Sequence, residues 1–393
     1  MFGKWLYIKD SAPIIVVAAT VVANLADGDP VWLLLVEPPS CGKTEILIST
    51  MGLEYIVPAA TITEASLLSG TPPRDRARGA TGGLMRQIGA AGILLCKDFT
   101  SVLSQNKDTA KAAVAALREI YDGRWDRPIG SAGAKVMHWD GKCGFLGGVT
   151  PSYDRFSVVT AGLGDRFLLL RMPTPKADAQ ASAALNAAQQ ETVMRAELAE
   201  AMCGLINGAD LDRVCASLRD DEEHRLKTLA IFAARARTVV ERDGYTGDLL
   251  AMPGTEGPAR PLKQMRQLYG GLAAVGADEN ARWRILRRVA LSCPPAIRLP
   301  LLRQLVSDGE QWQSTAAVAE AAGLVTRTAT RHLGDLTLLK LAERTKHPPE
   351  DRTGVTVKGG PRADGSDTRP NWWRASGWLR SNWPDPIGEV ADE

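Results

Sequence analysis

Short apolar runs alternate with longer amphipathic stretches over the first 175 residues of the chain. Each run ends at glycine, proline or a charged residue, which is typical of buried strands. We therefore predict strands at residues 31–36, 54–60, 91–96, 144–150 and 165–172. Helical patterns lie between these strands, at residues 10–26, 43–51 and 107–121. Strands that alternate with helices predict an α/β fold, in which helices cover both faces of a largely parallel sheet in an αβα arrangement.

After Pro173 the chain becomes rich in alanine, leucine, glutamate and arginine, which predicts helices from about 177 to 243 and again at 262–275. Beyond Pro294 a further helix precedes STAAVAEAAGL and VTRTATRHLGDLTLLKL, which form a helix–turn–helix pattern. The stretches ERTKH and GVTVKG are expected to pair behind it as a wing.

These patterns predict five parts. They are a lead helix at 1–30, an αβα core at 31–175, a helical lid at 176–293, a winged-helix domain at 294–358 and a tail at 359–393. The tail is rich in glycine, proline and charge, which favours mobility. It also carries four tryptophans, so we expect it to dock on this chain or on a protein partner.

Composition narrows the classes of function. The 393 residues carry a net charge of +2, so contact with nucleic acid would need local basic patches. Six cysteines occur without a CxxC pair, which argues against a zinc site or a disulfide framework and fits a reducing, cytoplasmic location. No apolar run reaches the roughly 20 residues that cross a bilayer, so we expect no membrane partner.

One stretch, VWLLLVEPPSCGKTEILIST at residues 31–50, combines a buried strand, a tight loop and the start of a helix. Its Gly42, Lys43 and Thr44 match the last three positions of the motif GxxxxGK[ST]. In that motif, backbone N–H groups and the helix N-terminus bind phosphate. We call residues 37–44 the candidate phosphate loop. Lys43 is expected to reach the β- and γ-phosphates of ATP, and the Thr44 hydroxyl to hold Mg²⁺. The expected nucleotide-binding residues are Pro39, Ser40, Cys41, Gly42, Lys43 and Thr44.

The first glycine of that motif is replaced by Glu37. A carboxylate at this position lies close to a polyphosphate and should repel it. The alternative interpretation of the stretch is therefore a glycine-poor turn ahead of an ordinary helix.

Asp98 ends the apolar run GILLC and is the candidate acidic residue, expected to hold Mg²⁺ through water or to orient the attacking water. Lys97 precedes it where such sites usually have an aspartate. Either Asp98 serves both roles, or Glu119 or another carboxylate helps. The alternative is a strand that simply ends in a surface aspartate.

Three further residues are candidates for the chemistry. Thr150, at the end of a strand, would hydrogen-bond the γ-phosphate or the attacking water. Arg166 precedes a strand, and an arginine there can enter the nucleotide site of the next subunit and neutralise charge on the transferred phosphoryl group. Arg260, at the start of a lid helix, is a candidate for the γ-phosphate. From spacing alone, a surface salt bridge is the better interpretation of Arg166.

A hairpin predicted at 124–143 is one candidate for DNA contact. Trp125 and Trp139 are interleaved with its cations and would stack on bases, while the cations follow phosphates. The alternative is a solvated hairpin. The expected DNA-binding residues are Arg127, Lys135 and Lys142 on the hairpin, and Arg327 and Arg331 on the recognition helix of the helix–turn–helix pattern. Such modules also serve as protein docking units.

In this order, the parts resemble the AAA+ ATPases, and more narrowly the clade with an insert in the second helix and a hairpin before the sensor-1 strand. The likeness lies in four stretches: TEASLLSG…GATGGLMRQIGAAGILLCKDF, ALREIYDGRWDRPIGSAG, LGDRFLLLRMP and PARPLKQM. They are similar, in turn, to the helix-2 insert with the Walker B strand, the hairpin, the arginine-finger segment and sensor 2. Within the clade, the chain resembles minichromosome-maintenance-type helicases of phage and integrative elements.

The resemblance implies a three-layer P-loop core with a helical lid and a C-terminal winged helix. It places Asp98 at the acidic metal site, Thr150 at sensor 1, Arg166 as a finger acting in trans and Arg260 at sensor 2. It also implies a homo-oligomeric ring, a hexamer, whose hairpins line a channel for single-stranded or forked DNA.

The leading hypothesis is therefore an oligomeric, ATP-driven DNA translocase or helicase motor for the replication of a mobile genetic element. Because Glu37 and Lys97 depart from the motor pattern, an ATP-gated DNA-binding ring or loader that does not unwind is the alternative. A third hypothesis is a winged-helix regulator with a vestigial ATPase core.

Overall fold

The computed structural model divides the chain into two compact units. It describes residues 1–39, 41–69, 82–129, 135–156, 166–174, 176–243, 245–252, 254–347 and 369–384. The first unit comprises Met1–Glu223 and Arg260–Val289, and the second comprises His224–Ala259 and Ala290–Glu393. All three boundaries between the units along the chain fall inside the segment predicted as a helical lid.

The first unit contains a five-stranded parallel sheet and a separate hairpin. Its strands are β1 (Trp32–Val36), β2 (Ile56–Pro58), β3 (Ala91–Cys96), β4 (Arg124–Ile129), β5 (Lys135–Asp140), β6 (Lys142–Val149) and β7 (Leu168–Arg171). The sheet has the order β2-β3-β6-β1-β7, while β4 and β5 pair antiparallel. The predicted α/β fold with a parallel sheet is therefore confirmed.

The register of the sheet decides which loops lie together. Val36 at the end of β1 pairs with Val149 at the end of β6, and Cys96 at the end of β3 pairs with Gly147. Leu33, near the start of β1, pairs with Leu168, the first residue of β7. The segments that follow β1, β3 and β6 therefore share the carboxyl edge of the sheet, and the segment before β7 lies at the amino edge.

Helices cover both faces of this sheet. Those of the first unit are α1 (Phe2–Trp5), α2 (Ala12–Leu25), α3 (Lys43–Ile48), α4 (Glu64–Leu67), α5 (Leu84–Ile88), α6 (Phe99–Leu103), α7 (Lys107–Tyr121), α8 (Ala177–Ala187), α9 (Glu191–Asn207), the first residues of α10 (Asp220–Arg237), α11 (Ala259–Ala274) and most of α12 (Glu279–Ser292). Helices α2 and α3 contact β6, and α6 and α7 contact it from the other side. The helix predicted at 107–121 is confirmed.

An aromatic cluster forms the centre of the core on the α7 face. The ring of Trp32 lies 5.2 Å from Tyr121, 5.4 Å from Phe145 and 5.2 Å from Phe167, measured between centroids. Its indole N–H donates to the Cys143 carbonyl oxygen at 2.7 Å, so the polar atom of this buried side chain is satisfied. The cluster therefore joins β1, β6 and α7.

The second unit contains a three-stranded antiparallel sheet with helices around it. Its elements are the remainder of α10, α13 (Arg298–Ser307), β8 (Gln313–Ser314), α14 (Thr315–Ala321), α15 (Thr326–Leu338), β9 (Ala342–Thr345), β10 (Trp372–Ala375) and α16 (Gly377–Ser381). The strands have the order β8-β10-β9. The residues 354–359, predicted to pair with ERTKH as a wing, lie outside the described residues.

The tryptophans of the predicted tail pack on this chain. Trp373, fully buried in the central strand β10, donates its indole N–H to the Thr315 hydroxyl at 2.8 Å. Trp383 contacts Phe232 of α10 at 5.7 Å between ring centroids, and the guanidinium of Arg235 lies 4.4 Å from the ring of Trp378. The sequence predicts that the tail docks on this chain or on a protein partner, and the structure shows these tryptophans packed on this chain.

A buried ion pair connects the recognition helix of the pattern, α15, to the loop after α10. Asp335 is 3% exposed, and its carboxylate accepts from the Arg242 guanidinium at 2.7 Å and 2.9 Å. A second guanidinium, of Arg298, lies 3.9 Å from the same carboxylate. Removal of one partner from a buried pair is costly, because the other charge is then left without compensation.

In the described part of the chain, every helix is too short or too polar to cross a membrane.

We expect Asp335→Ala to lower the free energy of unfolding by about 3–5 kcal/mol, because it removes the carboxylate that lies between the buried Arg298 and the partly buried Arg242. The matched control is Glu343→Ala, which breaks the more exposed pair with Arg374 in the same unit and should cost about 1 kcal/mol or less. Urea unfolding measures both. An Asp335→Ala loss no larger than that of the control would contradict a stabilising role for the buried pair.

Candidate functional site

The candidate phosphate loop leaves the carboxyl edge of the sheet and leads into α3. Its first residue is held to β6, because the Glu37 N–H donates to the Val149 carbonyl oxygen at 3.1 Å. Gly42 has a φ of +106°, a left-handed conformation that glycine adopts without strain, and this turn starts the helix. The predicted strand–loop–helix context is therefore present.

Lys43 lies inside this loop. Its side chain is 7% exposed and runs along β6, where a Cβ atom at Gly148 would stand 3.4 Å from its Cε. The ammonium donates to the Glu37 carbonyl oxygen at 3.3 Å and lies 3.5 Å from that of Pro38. The loop therefore surrounds a positive charge with its own backbone. Glycine at position 148 is required by the Lys97 carbonyl oxygen, which would lie 2.6 Å from a Cβ atom there.

The Glu37 side chain turns back into the same loop. It is 2% exposed, and its Oε2 accepts from the backbone N–H of Lys43 at 3.1 Å. Burial raises the pKa of this carboxyl from 4.5 to about 7, against the opposing effects of the Lys43 hydrogen bond and charge. A carboxylate therefore occupies one of the loop donors that the motif ordinarily offers to phosphate.

The other described residues of the candidate phosphate loop are exposed or partly buried. Pro39 is exposed, and Cys41, whose thiol lies 3.5 Å from the Pro39 carbonyl oxygen, is partly buried. Thr44 lies exposed in the first turn of α3. Ser40 lies outside the described residues.

Thr150 follows β6, the neighbour of β1, and Asp98 lies just after β3, the next strand of the sheet. The Thr150 N–H donates to the Thr100 hydroxyl at 2.9 Å, and the two hydroxyl oxygens are 3.5 Å apart. Asp98 is exposed at the end of β3, where its Oδ1 caps α6 by accepting from the Ser101 N–H at 3.3 Å. The sheet thus brings Lys43, Thr150 and Asp98 to one edge. Thr100 has no motif of its own, and only its position just after Asp98 could have indicated it.

The residues present fit a magnesium ion that arrives with a nucleotide. No cluster of three His, Cys, Asp or Glu side chains that could hold a metal ion occurs among the described residues. Mg²⁺ commonly uses one or two protein oxygens together with substrate phosphates and water. Thr44 and Asp98, both exposed at the carboxyl edge, provide a hydroxyl and a carboxylate for such a site.

A small cavity of about 30 Å³ adjoins the candidate phosphate loop. The chain before α2 forms one wall and the end of β7 another. The cavity is lined by Leu6, Tyr7, Ile8, Lys9, Asp10, Pro13, Glu37, Cys41, Gly42, Ile46, Met172 and Pro173.

Arg166 lies at the amino edge of the sheet. Its guanidinium donates to both carboxylate oxygens of Asp122, at 2.9 Å and 3.2 Å, and lies 5.4 Å from the Tyr121 ring centroid. The side-chain amide of Gln264 donates to the Arg166 carbonyl oxygen. The oxygen of the same amide accepts from the backbone N–H of Trp32 at the start of β1. The Arg166 side chain is 7% exposed, whereas the Asp122 side chain is 54% exposed.

Arg260 belongs to the same neighbourhood. It lies one helical turn before Gln264 on α11. Burial, and then the charge of Arg260, lower the pKa of the Arg166 guanidinium. The structure therefore groups Arg166 and Arg260, but it does not bring them to the loop that holds Lys43, which leaves from the opposite edge.

The hairpin differs from the expectation of interleaved, open aromatic rings. Trp125 and Trp139 are 6% and 5% exposed, and Trp139 donates to the Gly89 carbonyl oxygen at 2.8 Å. The expectation that they stack on bases is therefore wrong, because the inner face of β4 and β5 completes the core of the first unit. Arg127 donates to the Leu68 carbonyl oxygen on that inner face.

In the described part of the hairpin, the outer face carries charges of both signs. Arg124, Asp126 and His138 form a cross-strand group there, with the His138 ring against the Asp126 carboxylate. Lys142 lies on β6 rather than on the hairpin, and its amine donates to the Ala26 carbonyl oxygen. The tip at 130–134 and the side chain of Lys135 lie outside the described residues.

In the second unit, α15 presents an exposed polar face. Arg327, Thr330 and Arg331 are exposed on one side of this helix, while Leu333 and Leu336 are fully buried on the other. This spacing of three and four residues is that of a helix with one face on a core. The predicted DNA-binding arginines therefore lie together at the surface.

No protein-family model and no curated protein matches the chain. One similar solved structure is "The A form apo structure of NrS-1 C terminal region-CTR", with a TM-score of 0.23 and 10% sequence identity, over 94% of this chain and 76% of that chain. A TM-score this low does not establish a common fold.

The raised pKa of Glu37 predicts a pH dependence of stability. The unfolded chain loses this proton near pH 4.5 and the folded chain near pH 7, so the stability that the protonated side chain contributes is lost as the pH rises through this window. Relative to Glu37→Gln, the wild-type chain should lose on the order of 1–3 kcal/mol between pH 5 and pH 8. Urea unfolding of both proteins at both pH values measures it. An equal difference between them at pH 5 and pH 8 would be evidence against a buried, titrating carboxyl.

Proposed function

We propose that the chain is an ATPase of the AAA+ type that acts on DNA, and most specifically a translocase or helicase motor for the replication of a mobile genetic element. The observation that supports this best is the arrangement at the carboxyl edge of the sheet. There Lys43, with its loop and α3, stands beside Thr150 and Asp98.

Nucleotide binding is the first part of the proposal. In open α/β sheets, ligands bind outside the carboxyl ends of the strands, where the strand order reverses. Strand β1 lies at such a point, because the chain moves from it to β2 on one side and later reaches β7 on the other. Pro39, Cys41, Gly42 and Lys43 would surround the phosphates.

Hydrolysis is the second part. Mg²⁺ bound with the nucleotide would neutralise charge on the β- and γ-phosphates, and Thr44 and Asp98 are the residues to hold it. The hydroxyl of Thr150 would orient the attacking water or the γ-phosphate. Strand β6 separates β1 from β3, so Thr150 stands between Lys43 and Asp98 along the edge.

Arg166 and Arg260 would complete the site of a neighbouring protomer. Their position at the amino edge keeps them away from the candidate phosphate loop of their own chain. A guanidinium supplied in trans stabilises the charge of phosphoryl transfer. To do so, Arg166 would exchange the exposed carboxylate of Asp122 for phosphate. This requirement favours a homo-oligomeric ring, a hexamer in the family that the chain resembles.

DNA contact is assigned to the second unit and, through Lys135 at the start of β5, to the hairpin. The helices α14 and α15 and the small antiparallel sheet support a winged helix, and Arg327 and Arg331 are exposed on α15. Exposed arginines at such positions contact phosphates or base edges. The remaining predicted cations, Arg127 and Lys142, would have to leave their present carbonyl partners to reach DNA.

A second candidate is an ATP-gated DNA-binding ring or loader that does not unwind. It is favoured by Glu37, which occupies a loop donor, and by the lysine that precedes Asp98. Strand displacement on forked DNA separates the two candidates, since only the motor releases a strand.

Mixed oligomers test the shared site. Lys43→Ala and Arg166→Ala are each expected to reduce DNA-stimulated ATP hydrolysis at least ~100-fold. In co-assembled mixtures, about a quarter of the interfaces combine an intact Lys43 with an intact Arg166, so a corresponding share of activity should return. Arg213→Ala, which removes another ion-paired arginine from the first unit, is the control and should keep full activity.

Three results would contradict this assignment. If Arg166→Ala alone hydrolyses ATP as the wild type does, or if the mixture is no more active than its parents, the in-trans role is wrong. If Lys43→Ala keeps its activity, the nucleotide site itself is wrong.

DNA binding by α15 has its own test. The double change Arg327→Ala and Arg331→Ala should weaken DNA affinity at least ~10-fold and reduce the slope of log affinity against log salt by about 1–2. Lys107→Ala with Lys111→Ala is the matched control, since it removes two exposed cations one turn apart from a helix of the first unit. Equal effects of the two double changes would contradict a specific role for α15.

A further inference from the structure

We propose that Glu37 is an internal competitor of nucleotide, whose carboxylate occupies the backbone donor of Lys43 until a phosphate displaces it. This rests on the proposed function, because it assumes that the candidate phosphate loop receives a triphosphate. It adds that the loop of this protein is closed by its own anion, so that nucleotide affinity is set by a competition inside the chain.

The geometry carries this inference. The Glu37 Oε2 accepts from the Lys43 N–H at 3.1 Å, and the whole residue is 2% exposed. Backbone N–H groups at this position of a phosphate loop are the donors for phosphate oxygens. The Glu37 carboxylate therefore occupies the backbone donor that a phosphate would need. It comes from the residue that replaces the first glycine of the motif.

The Lys43 ammonium is directed inward as well. It donates to the Glu37 carbonyl oxygen and approaches that of Pro38, both in the loop itself. Glu37 thus engages both the backbone N–H and the side chain of Lys43, through its carboxylate and its carbonyl oxygen. For the lysine to reach a phosphate, these contacts must be exchanged, and the negative charge beside the phosphate must be removed from the loop.

A purely structural role for Glu37 makes the opposite prediction. If the carboxylate only holds the loop in a shape that binds phosphate, its removal should weaken nucleotide binding. If it competes with phosphate, its removal should strengthen binding. The sign of one affinity change therefore separates the two roles.

The experiment measures the affinity of the full chain for a fluorescent ATP analogue with Mg²⁺. Glu37→Gly restores the glycine of the motif, and Glu37→Gln keeps the size and an acceptor oxygen but removes the charge. We expect Glu37→Gly to bind at least ~10-fold more tightly than the wild type, and Glu37→Gln to bind more tightly than the wild type by a smaller factor.

Two further variants make the result specific. Glu45→Gln removes a carboxylate from α3, the helix that begins at Lys43. Arg195 already neutralises this carboxylate, with contacts at 3.0 Å, so the affinity should stay within about twofold of the wild type. Lys43→Ala should abolish binding. Thermal unfolding of each variant shows whether it is folded, and Glu37→Gln keeps the test valid if Glu37→Gly is not.

The outcomes distinguish this inference from the function on which it rests. If Lys43→Ala abolishes binding, but Glu37→Gly and Glu37→Gln bind no more tightly than the wild type, the competition is overturned and the nucleotide site stands. If Glu45→Gln strengthens binding as much as Glu37→Gln, a general charge effect replaces the specific contact and the competition is again overturned. If no variant binds the analogue, or Lys43→Ala binds like the wild type, both the site and the competition fall.

Discussion

The parallel register of β1 with its two neighbours is the constraint on which the rest of the structure depends. It aligns Val36 with Val149 on one side and Leu33 with Leu168 on the other. Parallel strands place their carboxyl ends at one edge, so the loop after β1 necessarily lies beside the residues that follow β6 and β3. The same register places Arg166, which precedes β7, at the far edge. The separation of Lys43 from Arg166 is thus a property of the sheet, and it is the reason why the proposed chemistry needs a second protomer.

Within that sheet, the contact between Glu37 and Lys43 decides how the loop behaves. A buried carboxyl with a pKa of about 7 is costly unless it has partners, and here its partners are the backbone N–H and the charge of the lysine. Natural phosphate loops keep such donors for the ligand. A chain that uses one of them internally gains a satisfied, ordered loop, at the cost of phosphate affinity. The same contact links the stability of the fold to the proposed activity.

Much of this arrangement follows from local patterns. Apolar runs bounded by glycine and charge predict the strands, and β3 and α7 have the predicted bounds, because periodicity and capping act over a few residues. Long-range facts are different. Trp125 and Trp139 each lie between polar residues on a strand of the hairpin. This alternation does not indicate which face of the hairpin packs on the core. The strand Trp372–Ala375 falls in the predicted tail, since nothing nearby in sequence indicates its partners at 313–314 and 342–345. The position of Arg260 beside Arg166, and of Thr100 beside Thr150, depends on the same tertiary packing.

Hydrogen–deuterium exchange of the full chain, with and without saturating ATP and Mg²⁺, is the most direct test of the central claim that residues 37–44 bind a triphosphate. Backbone N–H groups that donate to phosphate exchange slowly, so we expect increased protection of the peptides that cover residues 37–48, and none in Lys43→Ala. Unchanged exchange in these peptides under saturating ATP, or equal protection in Lys43→Ala, would contradict it.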